Sequence, residues 1–472
     1  MAIRQDRETD AIEAINRISD EQQTSESRML RAAALARIGQ SVEARNDLAI
    51  ILQNEPDNID ARLMHADVST DLGEWKTALD DAASVLSKNP ENVDARRIRG
   101  TCQFHLKHFQ DAFEDLDSAA VRSQDTVKTQ WIRCQCLMEL DQSFRARQEL
   151  DAFIVSHPAH EQARFLRASL AEKQGEFEVA IEDLSAIIAR QPKNTDAILR
   201  RGLMQHRAAH FDKAIDDFSR VLSLGVESAE IYYRRGLARH QLQQKDLAAK
   251  DLDQCLKLDP SFADAWYVKG NMAASDGHGD EALEMYAKAV KVQPTHAAAW
   301  YNRGNLLFNM NRLEEAIDCW NHAVDSQPNL FRAYNNRAAA LVRLKRDEEA
   351  VRDYEKAIEL SPGFARAWDN YAWLLATSEN TKIRDTTRAV TVARKACELT
   401  AFKEWMSLST LAAAYAEAGD MNQAADWAKK ARSAAPANEK PELEKVVRLY
   451  ESRRTGRAVQ STAQEPSMES RQ

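Results

Sequence analysis

The sequence contains little of what interrupts a helix. Only 14 glycines and 11 prolines occur among its 472 residues, and the remainder is rich in alanine, leucine, glutamate, arginine and glutamine. These residue types lose little conformational freedom in a helix. The composition therefore predicts an almost wholly helical protein.

A surplus of positive charge is also missing. The formal net charge is −9, and we do not expect nucleic acid as a partner, because phosphate binding draws on a strong excess of lysine and arginine. The sequence opens without an apolar stretch of signal-peptide length and contains no apolar run long enough to span a bilayer, which argues against membrane insertion. We expect a protein of the cytoplasm.

Cysteines are few, and their spacing fits neither a zinc site nor a small disulfide scaffold. We expect reduced thiols in the core, with no metal and no cofactor. A phosphate-binding loop and a Ser/His/Asp signature are also missing, and a repeating chain offers no deep cleft for a catalytic site. The sequence therefore predicts a protein that is not an enzyme. The six cysteines are Cys102, Cys134, Cys136, Cys255, Cys319 and Cys397.

What the sequence has instead is a strict repeat of 34 residues. Ten positions lie on this interval, and eight of them are proline; we call these ten positions marks. The residue twelve positions before a mark is alanine in all ten cases. The marks are Pro56, Pro90, Gln124, Pro158, Pro192, Val226, Pro260, Pro294, Pro328 and Pro362. The alanines are Ala44, Ala78, Ala112, Ala146, Ala180, Ala214, Ala248, Ala282, Ala316 and Ala350.

A second small residue precedes each mark by 24 positions. Small side chains on two facing helices allow the backbones to approach closely. Seventeen residues before the mark, glycine recurs in four units and relaxes a turn. Each unit is therefore predicted to be a helix, a short turn and a second helix that ends near the mark. The small residues are Ala32, Ala66, Gly100, Cys134, Ala168, Gly202, Gly236, Gly270, Gly304 and Ala338, and the turn glycines are Gly39, Gly73, Gly175 and Gly277.

This pattern resembles the tetratricopeptide repeat (TPR) family, whose units are 34-residue helix-turn-helix pairs. Two further units follow out of phase, and about five residues near 379–384 lengthen the turn of the first. The resemblance implies an all-α fold, a right-handed TPR superhelix (an α-solenoid) of about twelve helix-turn-helix repeats. The unit that matches the family best carries Trp266, Gly270, Ala282, Tyr286, Ala289 and Pro294.

The repeats are predicted to span residues 25–436, which leaves no room for a separate catalytic domain. Residues 1–24 are predicted to be an N-terminal segment with a capping helix. Residues 437–454 are predicted to be a C-terminal capping helix that shields the apolar side of the last unit. Residues 455–472 are polar with little apolar material, a composition typical of disorder.

In TPR proteins the first helix of each unit lines a concave groove in which ligands usually lie. The resemblance therefore implies a protein-protein interaction scaffold or adaptor that binds an extended segment of a partner protein in this groove. The alternative is a structural subunit of a larger assembly that docks through its ends or its convex face. An exposed apolar patch on the outer helices would favour this alternative.

Asparagines recur on the predicted groove side. Asn302, Asn336 and Asn370 occupy equivalent places in three units, and Asn271 and Asn305 lie one turn further along their helices. Such a ladder resembles those with which some TPR proteins hold the backbone of an extended peptide, since a carboxamide donates and accepts hydrogen bonds at once. The alternative is that these asparagines belong to the ordinary repeat pattern and face solvent.

Tyrosines recur beside this ladder. Tyr233, Tyr267 and Tyr301 follow one another at the 34-residue interval. Tyrosine offers an apolar ring and a polar hydroxyl, which suits a binding surface. We therefore add these three residues to the predicted peptide-binding groove.

A basic patch is predicted upstream of the ladder. Arg200, His206 and Arg207 lie in one unit, and Arg234 and His240 lie in the next. Such a patch inside an acidic protein would suit an acidic segment of a partner. The alternative is a solvated face whose cations are balanced by nearby carboxylates.

A basic residue also precedes the small position in nine of the ten regular units, and an acid recurs on the second helix nine residues before eight of the marks. A binding stripe is one interpretation. Ion pairs between the two helices of a unit are the favoured one, because partly buried charges need partners. The acids are Asp47, Asp81, Asp115, Glu149, Asp183, Asp217, Asp251 and Asp353.

Overall fold

The structure is a computed structural model that describes residues 2–18, 22–122 and 126–455. These residues form 26 α-helices and no strand. The chain divides into two compact units, Met1–Val226 and Glu227–Gln472. Both units are built from consecutive antiparallel helix pairs.

The first compact unit begins with a single helix, α1 (Ala2–Asn16), and continues with six pairs. The pairs are α2 (Ser25–Arg37) with α3 (Ser41–Asn54), α4 (Ile59–Asp71) with α5 (Trp75–Lys88), α6 (Val93–His105) with α7 (Phe109–Arg122), α8 (Val127–Glu139) with α9 (Ser143–Ser156), α10 (Glu161–Gln174) with α11 (Phe177–Arg190), and α12 (Thr195–Arg207) with α13 (Phe211–Ser223).

The second compact unit consists of six further pairs and a final helix, α26 (Lys440–Thr455). The pairs are α14 (Ala229–Gln241) with α15 (Lys245–Leu258), α16 (Ala263–Ser275) with α17 (Gly279–Val292), α18 (Ala297–Asn309) with α19 (Leu313–Ser326), α20 (Phe331–Arg343) with α21 (Asp347–Leu360), α22 (Ala365–Thr377) with α23 (Thr386–Leu399), and α24 (Trp405–Glu417) with α25 (Met421–Ala434).

These pairs follow the sequence repeat. Twelve pairs lie between α2 and α25, and every described mark falls in the turn after a second helix. The prediction of an all-α fold with about twelve helix-turn-helix repeats is confirmed. The lengthened turn is also present, because α22 ends at Thr377 and α23 begins only at Thr386.

The first helix of a pair commonly starts at a side-chain cap. The side chains of Asn58, Asn92 and Asn194 each accept a hydrogen bond from the backbone N–H three residues later, at 2.8 to 3.0 Å. Asparagine is favoured here because its side chain satisfies a backbone donor that has no partner within the helix.

A second local contact fixes the chain just after a mark. The indole N–H of Trp266 donates to the carbonyl of Pro260 at 3.0 Å, and Trp300 and Trp368 repeat this bond to Pro294 and Pro362. In earlier repeats arginine takes the place of tryptophan, as in the bond from Arg164 to the carbonyl of Pro158. The side chain six residues after the mark therefore ties the turn to the following helix.

The small residues lie where the two helices of a pair approach each other closely. A methyl group added to Gly270 would lie 2.6 Å from the ring of Tyr286, and one added to Gly304 would lie 2.7 Å from Nε1 of Trp320. Ala316, at the other small position of that repeat, is fully buried. Large aromatic rings thus fill the space that the small residues leave.

The predicted ion pairs between paired helices are confirmed. Arg201 donates from Nε and one terminal nitrogen to the two carboxylate oxygens of Asp217, at 2.8 and 2.7 Å. This hydrogen bonding raises the pKa of Arg201 above its usual value, against the opposing effect of burial. Equivalent pairs link Arg31 with Asp47, His65 with Asp81, Arg99 with Asp115, Arg133 with Glu149, Arg167 with Asp183, Arg235 with Asp251, and Arg337 with Asp353.

Single helices flank the twelve pairs. Ile15 of α1 is buried, and Asn16 accepts a hydrogen bond from Arg31 of α2 at 2.8 Å. At the other end, Val446 and Tyr450 of α26 pack into a cluster with α24 and α25. The segment predicted to be disordered, residues 455–472, lies outside the described residues except for Thr455.

Candidate functional site

Within each compact unit, the first helices of consecutive pairs lie side by side and form a surface, which we call the first-helix surface of that unit. Three predicted site residues meet there in the second compact unit. The Nδ2 group of Asn302 on α18 donates to Oδ1 of Asn271 at 2.9 Å and to the hydroxyl of Tyr267 at 3.2 Å, both on α16. All three side chains are partly exposed. The cluster therefore bridges two repeats at the surface.

The next repeat contains the same cluster. The Nδ2 group of Asn336 on α20 donates to Oδ1 of Asn305 at 2.9 Å and to the hydroxyl of Tyr301 at 3.3 Å. Among the described residues, the Nδ2 groups of Asn271 and Asn305 have no protein partner. Each cluster thus has one amide donor available and uses its other amide groups to join neighbouring repeats.

Asn370 lies in a different environment. It is only 7% exposed, and its Nδ2 group donates to Oδ1 of Asn335 at 3.1 Å. The reason is the packing of α22, which contacts both α23 and α24 and is buried from Asp369 to Ala376. The asparagine positions are equivalent in sequence, but the last of the three is enclosed by its neighbours.

Tyr233 does not belong to such a cluster. Its ring lies 4.9 Å from that of Phe262, measured between centroids, and burial raises its pKa to about 12. The residue equivalent to Asn271 in this repeat is Leu237. The tyrosine therefore packs against apolar side chains rather than against an amide.

The basic residues of the first compact unit are paired locally. Nε of Arg200 lies 3.1 Å from a carboxylate oxygen of Asp196, one turn earlier on α12, and Arg207 lies 3.0 Å from Glu172. The ring of His206 meets Phe211 edge to face at 5.3 Å. These contacts match the alternative of a solvated face balanced by carboxylates.

In the second compact unit, Arg234 is paired in the same way, because it donates to Glu230 at 2.5 Å, one turn earlier on α14. His240 has no carboxylate partner there; its Nδ1 atom is buried, and no described residue forms a hydrogen bond with it. The carboxylate of Glu230 therefore balances Arg234 alone.

An apolar pocket on the first-helix surface of the first compact unit was not predicted. It has a volume of about 390 Å³ and lies between α6, α8 and α10. Phe104, Trp131, Met138 and Phe165 supply its apolar walls, and Gln162 lies at its rim. This pocket can hold an apolar side chain of a ligand, since ligand pockets are mostly apolar with a few polar groups.

One signal in the sequence could have revealed this pocket. Trp131 and Phe165 are 34 residues apart and stand at the same place in their repeats as Tyr233, Tyr267 and Tyr301. The aromatic series on the first helices is therefore longer than the three tyrosines suggested. Considering all aromatic types together would have extended the predicted surface upstream.

The six cysteines are buried, and among the described residues they form no disulfide. Burial raises the pKa of Cys102 to about 11 and that of Cys136 to about 12. A thiol of such high pKa is a poor nucleophile because little thiolate forms. The described residues contain no group of three histidine, cysteine or acidic side chains arranged to hold a metal ion.

Within the described ranges, no helix combines the length and the apolar character needed to cross a membrane.

Family models agree with the repeat found in the sequence. Three models, each described as a tetratricopeptide repeat, together match more than half of the chain. One matches residues 297–330 and 331–364, the second 63–126 and 137–195, and the third 229–262 and 263–296. No curated protein matches the chain.

Several solved structures are similar in fold. Yeast Tom70 is 15% identical over 91% of this chain and 96% of its own, with a TM-score of 0.38. The Cut9-Hcn1 hetero-tetramer of APC/C is 14% identical over 95% of this chain and 94% of the matched chain, with a TM-score of 0.40. YrrB, described as a TPR protein with an unusual peptide-binding site, is 24% identical over 39% of this chain and 95% of its own, with a TM-score of 0.32.

Proposed function

The chain belongs to the tetratricopeptide repeat family, whose members act as protein-binding scaffolds, and we propose that this member binds an extended segment of a partner protein on its first-helix surface. The observation that carries the proposal is the apolar pocket between α6, α8 and α10. Its walls come from three successive first helices, so a ligand seated there runs across several repeats.

The two amide clusters of the second compact unit support the same mode of binding. Asn271 and Asn305 are equivalent residues of adjacent repeats, and like helices of such repeats lie about 8 to 10 Å apart. A polyproline II chain rises about 3.1 Å per residue with three residues per turn. Every third carbonyl group therefore points to the same side of the chain, at intervals of about 9 Å. This interval is close to the expected separation of the helices that carry the two available amide donors.

Site-specific crosslinking tests the proposal. A photoreactive residue at Gln162, on the rim of the apolar pocket, should crosslink a partner in living cells, and mass spectrometry would identify that partner. The same photoreactive residue at Asn422, exposed on the second helix α25, should give much less product. An equal yield of the same product at both positions would count against binding on the first-helix surface.

A pair of isosteric substitutions tests the amides. Asn271→Asp with Asn305→Asp keeps the oxygen that accepts the internal hydrogen bonds but removes both available donors. We expect the affinity for the identified partner to fall about fivefold to a hundredfold, since each lost hydrogen bond contributes about 0.5 to 1.5 kcal/mol. Asn46→Asp with Asn422→Asp adds the same charge on exposed second helices and should leave the affinity nearly unchanged.

A second candidate function has one observation in its favour. On α9 of the first compact unit, Phe144 is 73% exposed and Val155 is 82% exposed. Exposed apolar residues on an outer helix suit a structural subunit that docks through its convex face. A photoreactive residue at Phe144 that captured a partner, while Gln162 captured none, would favour this function over the first.

A further inference from the structure

A second pocket lies at the last helix pair, and most of its lining residues belong to the second helix α25. It has a volume of about 710 Å³, within the range of pockets that enclose a ligand. Phe402, from the turn between α23 and α24, forms one wall, and Trp427 of α25 forms another. The buried side chain of Leu408 on α24 forms the floor. The pocket is thus chiefly apolar.

The backbone holds Phe402 over this pocket. Ala401 and Phe402 both have a positive φ, 49° and 58°, a conformation that residues with a side chain adopt at a cost. The ring of Phe402 stacks on that of Trp427, with the centroids 5.6 Å apart and the planes inclined by 24°. Phe402 nevertheless remains 39% exposed. The two rings therefore present apolar surface to solvent.

The rim of the pocket is positively charged. Nζ of Lys430 lies 3.7 Å from the centroid of the Trp427 ring, and Lys430 has no carboxylate partner among the described residues. Its neighbour Lys429 also lines the pocket and pairs with Glu451 of α26 at 2.7 Å. None of the described side chains that line the pocket is acidic. In a chain with a net charge of −9, this combination of aromatic rings and an available ammonium group is complementary to an acidic ligand.

We propose that this pocket is a second docking surface, which binds an acidic segment of a partner protein through a large apolar side chain. The apolar side chain packs over Leu408 and against the stacked rings of Phe402 and Trp427, and a neighbouring carboxylate pairs with Lys430. An ammonium group beside an aromatic face favours such an arrangement because it offers charge and apolar contact together. None of its lining residues belongs to the apolar pocket or the amide clusters described above, so a scaffold of this kind could hold two partner segments at once.

Fluorescence anisotropy with labelled hexapeptides tests this surface on the full chain. The probe Glu-Asp-Leu-Phe-Asp-Glu should bind, whereas Glu-Asp-Ser-Ser-Asp-Glu, without apolar side chains, and Lys-Arg-Leu-Phe-Arg-Lys, of opposite charge, should bind at least about tenfold more weakly. Binding of the acidic apolar probe should weaken as salt is added, because exposed charge pairs are screened. Equal binding of the basic probe would overturn the proposal.

Two substitutions locate the binding. Phe402→Gly removes the ring at a position where glycine adopts the positive φ readily, so the chain should stay folded while the probe binds about threefold to tenfold more weakly. Lys430→Gln should weaken binding about twofold to fivefold. Lys288→Gln is the matched control, because Lys288 lies 4.7 Å over the ring of Trp266 in another repeat; it should leave binding unchanged.

Three results would overturn the assignment. Unchanged affinity of Phe402→Gly would place the probe elsewhere on the chain, and loss of affinity in Asn271→Asp with Asn305→Asp would place it on the first-helix surface. The remaining possible occupant of the pocket is a second copy of this chain, and light scattering tests for it by measuring the oligomeric state. A wild-type dimer that Phe402→Gly converts to a monomer would show that the pocket is a contact between copies.

Discussion

At the turn inside each regular repeat, one residue adopts a left-handed conformation whether or not it is glycine. Gly39, Gly73, Gly175 and Gly277 have φ between 74° and 85°. The equivalent residues Lys107, Asp141, Ala209, Gln243, Asn311 and Lys345 have φ between 53° and 68°. The turn geometry is therefore imposed by the two helices and not by the residue, since a side chain makes this conformation costly.

We predict that Ala209→Gly stabilises the protein by about 0.5 to 1 kcal/mol. Glycine removes the cost of the left-handed conformation, about 1 to 2 kcal/mol. Part of this gain is offset, because glycine has more conformational freedom in the unfolded chain and loses it on folding. The urea concentration at the midpoint of unfolding should rise. At the preceding residue φ is −79°, so the control Ala208→Gly should lower the midpoint instead. A fall for both variants would contradict the argument.

The small positions allow a second residue-scale prediction. Replacing a glycine inside a helix by alanine usually stabilises a protein by about 1 kcal/mol. In Gly270→Ala, however, the new methyl group would overlap the ring of Tyr286. We expect a loss of about 1 to 3 kcal/mol, as for other overpacked sites. Gly363→Ala is the control, because no atom lies within 4 Å of its added methyl group; its thermal unfolding should match the wild type.

At the scale of the helices, a charged contact joins the two members of most pairs. In two repeats the acid is replaced, by Met285 and Cys319. Lys269 then pairs with Asp253 of the preceding second helix at 2.5 Å, and Arg303 lies over the ring of Trp300 at 5.6 Å. Lys269 therefore finds another carboxylate when the acid of its own pair is missing, whereas Arg303 has the ring of Trp300 instead and its buried Nε has no hydrogen-bond partner among the described residues.

Removal of a buried acid should be costly. Asp183 is fully buried and accepts hydrogen bonds from Arg164 and Arg167 at 2.7 to 2.8 Å. We expect Asp183→Ala to destabilise the protein by about 3 kcal/mol, because it removes the buried carboxylate shared by two partly buried guanidinium groups, of which Arg164 is left without a carboxylate partner. Calorimetry should show a clear fall in the melting temperature. Glu359→Ala, which breaks an exposed pair with Lys356, should scarcely change it, and similar losses in both variants would contradict this account.

At the scale of the whole molecule, the helix pairs within each compact unit contact mainly their neighbours in sequence. In such an array stability is approximately the sum of the repeats and of the interfaces between neighbours. Cuts between repeats should therefore be tolerated better than cuts within a repeat.

We predict that a fragment of residues 227–472, the second compact unit, folds on its own. Circular dichroism should show a helical spectrum and a cooperative thermal transition, because the cut falls between two repeats. A fragment of residues 245–472 lacks α14 and leaves the apolar side of α15 uncovered, so it should melt at a lower temperature and associate. An unfolded 227–472 fragment would show that the repeats depend on distant parts of the chain.

The sequence by itself determined the repeat, the helix pairs and the ion pairs between them. Equivalent residues recur every 34 positions, so a feature such as Arg201 opposite Asp217 is seen many times and can be separated from chance. The recurrence also fixed which residues are close-packed, as Gly270 and Ala282 illustrate. Local geometry repeats because each pair forms mostly within its own 34 residues.

Only the tertiary structure decided which equivalent residues are available to a ligand. Asn302 and Asn370 occupy the same place in their repeats, yet one is partly exposed and the other is buried by α24. The three predicted arginines are paired with carboxylates, as when Arg200 pairs with Asp196. These outcomes depend on the side chains of adjacent repeats and on helix packing, which the 34-residue pattern does not specify. Exposure and charge balance are properties of that packing, and for this reason they could be determined only from the folded chain.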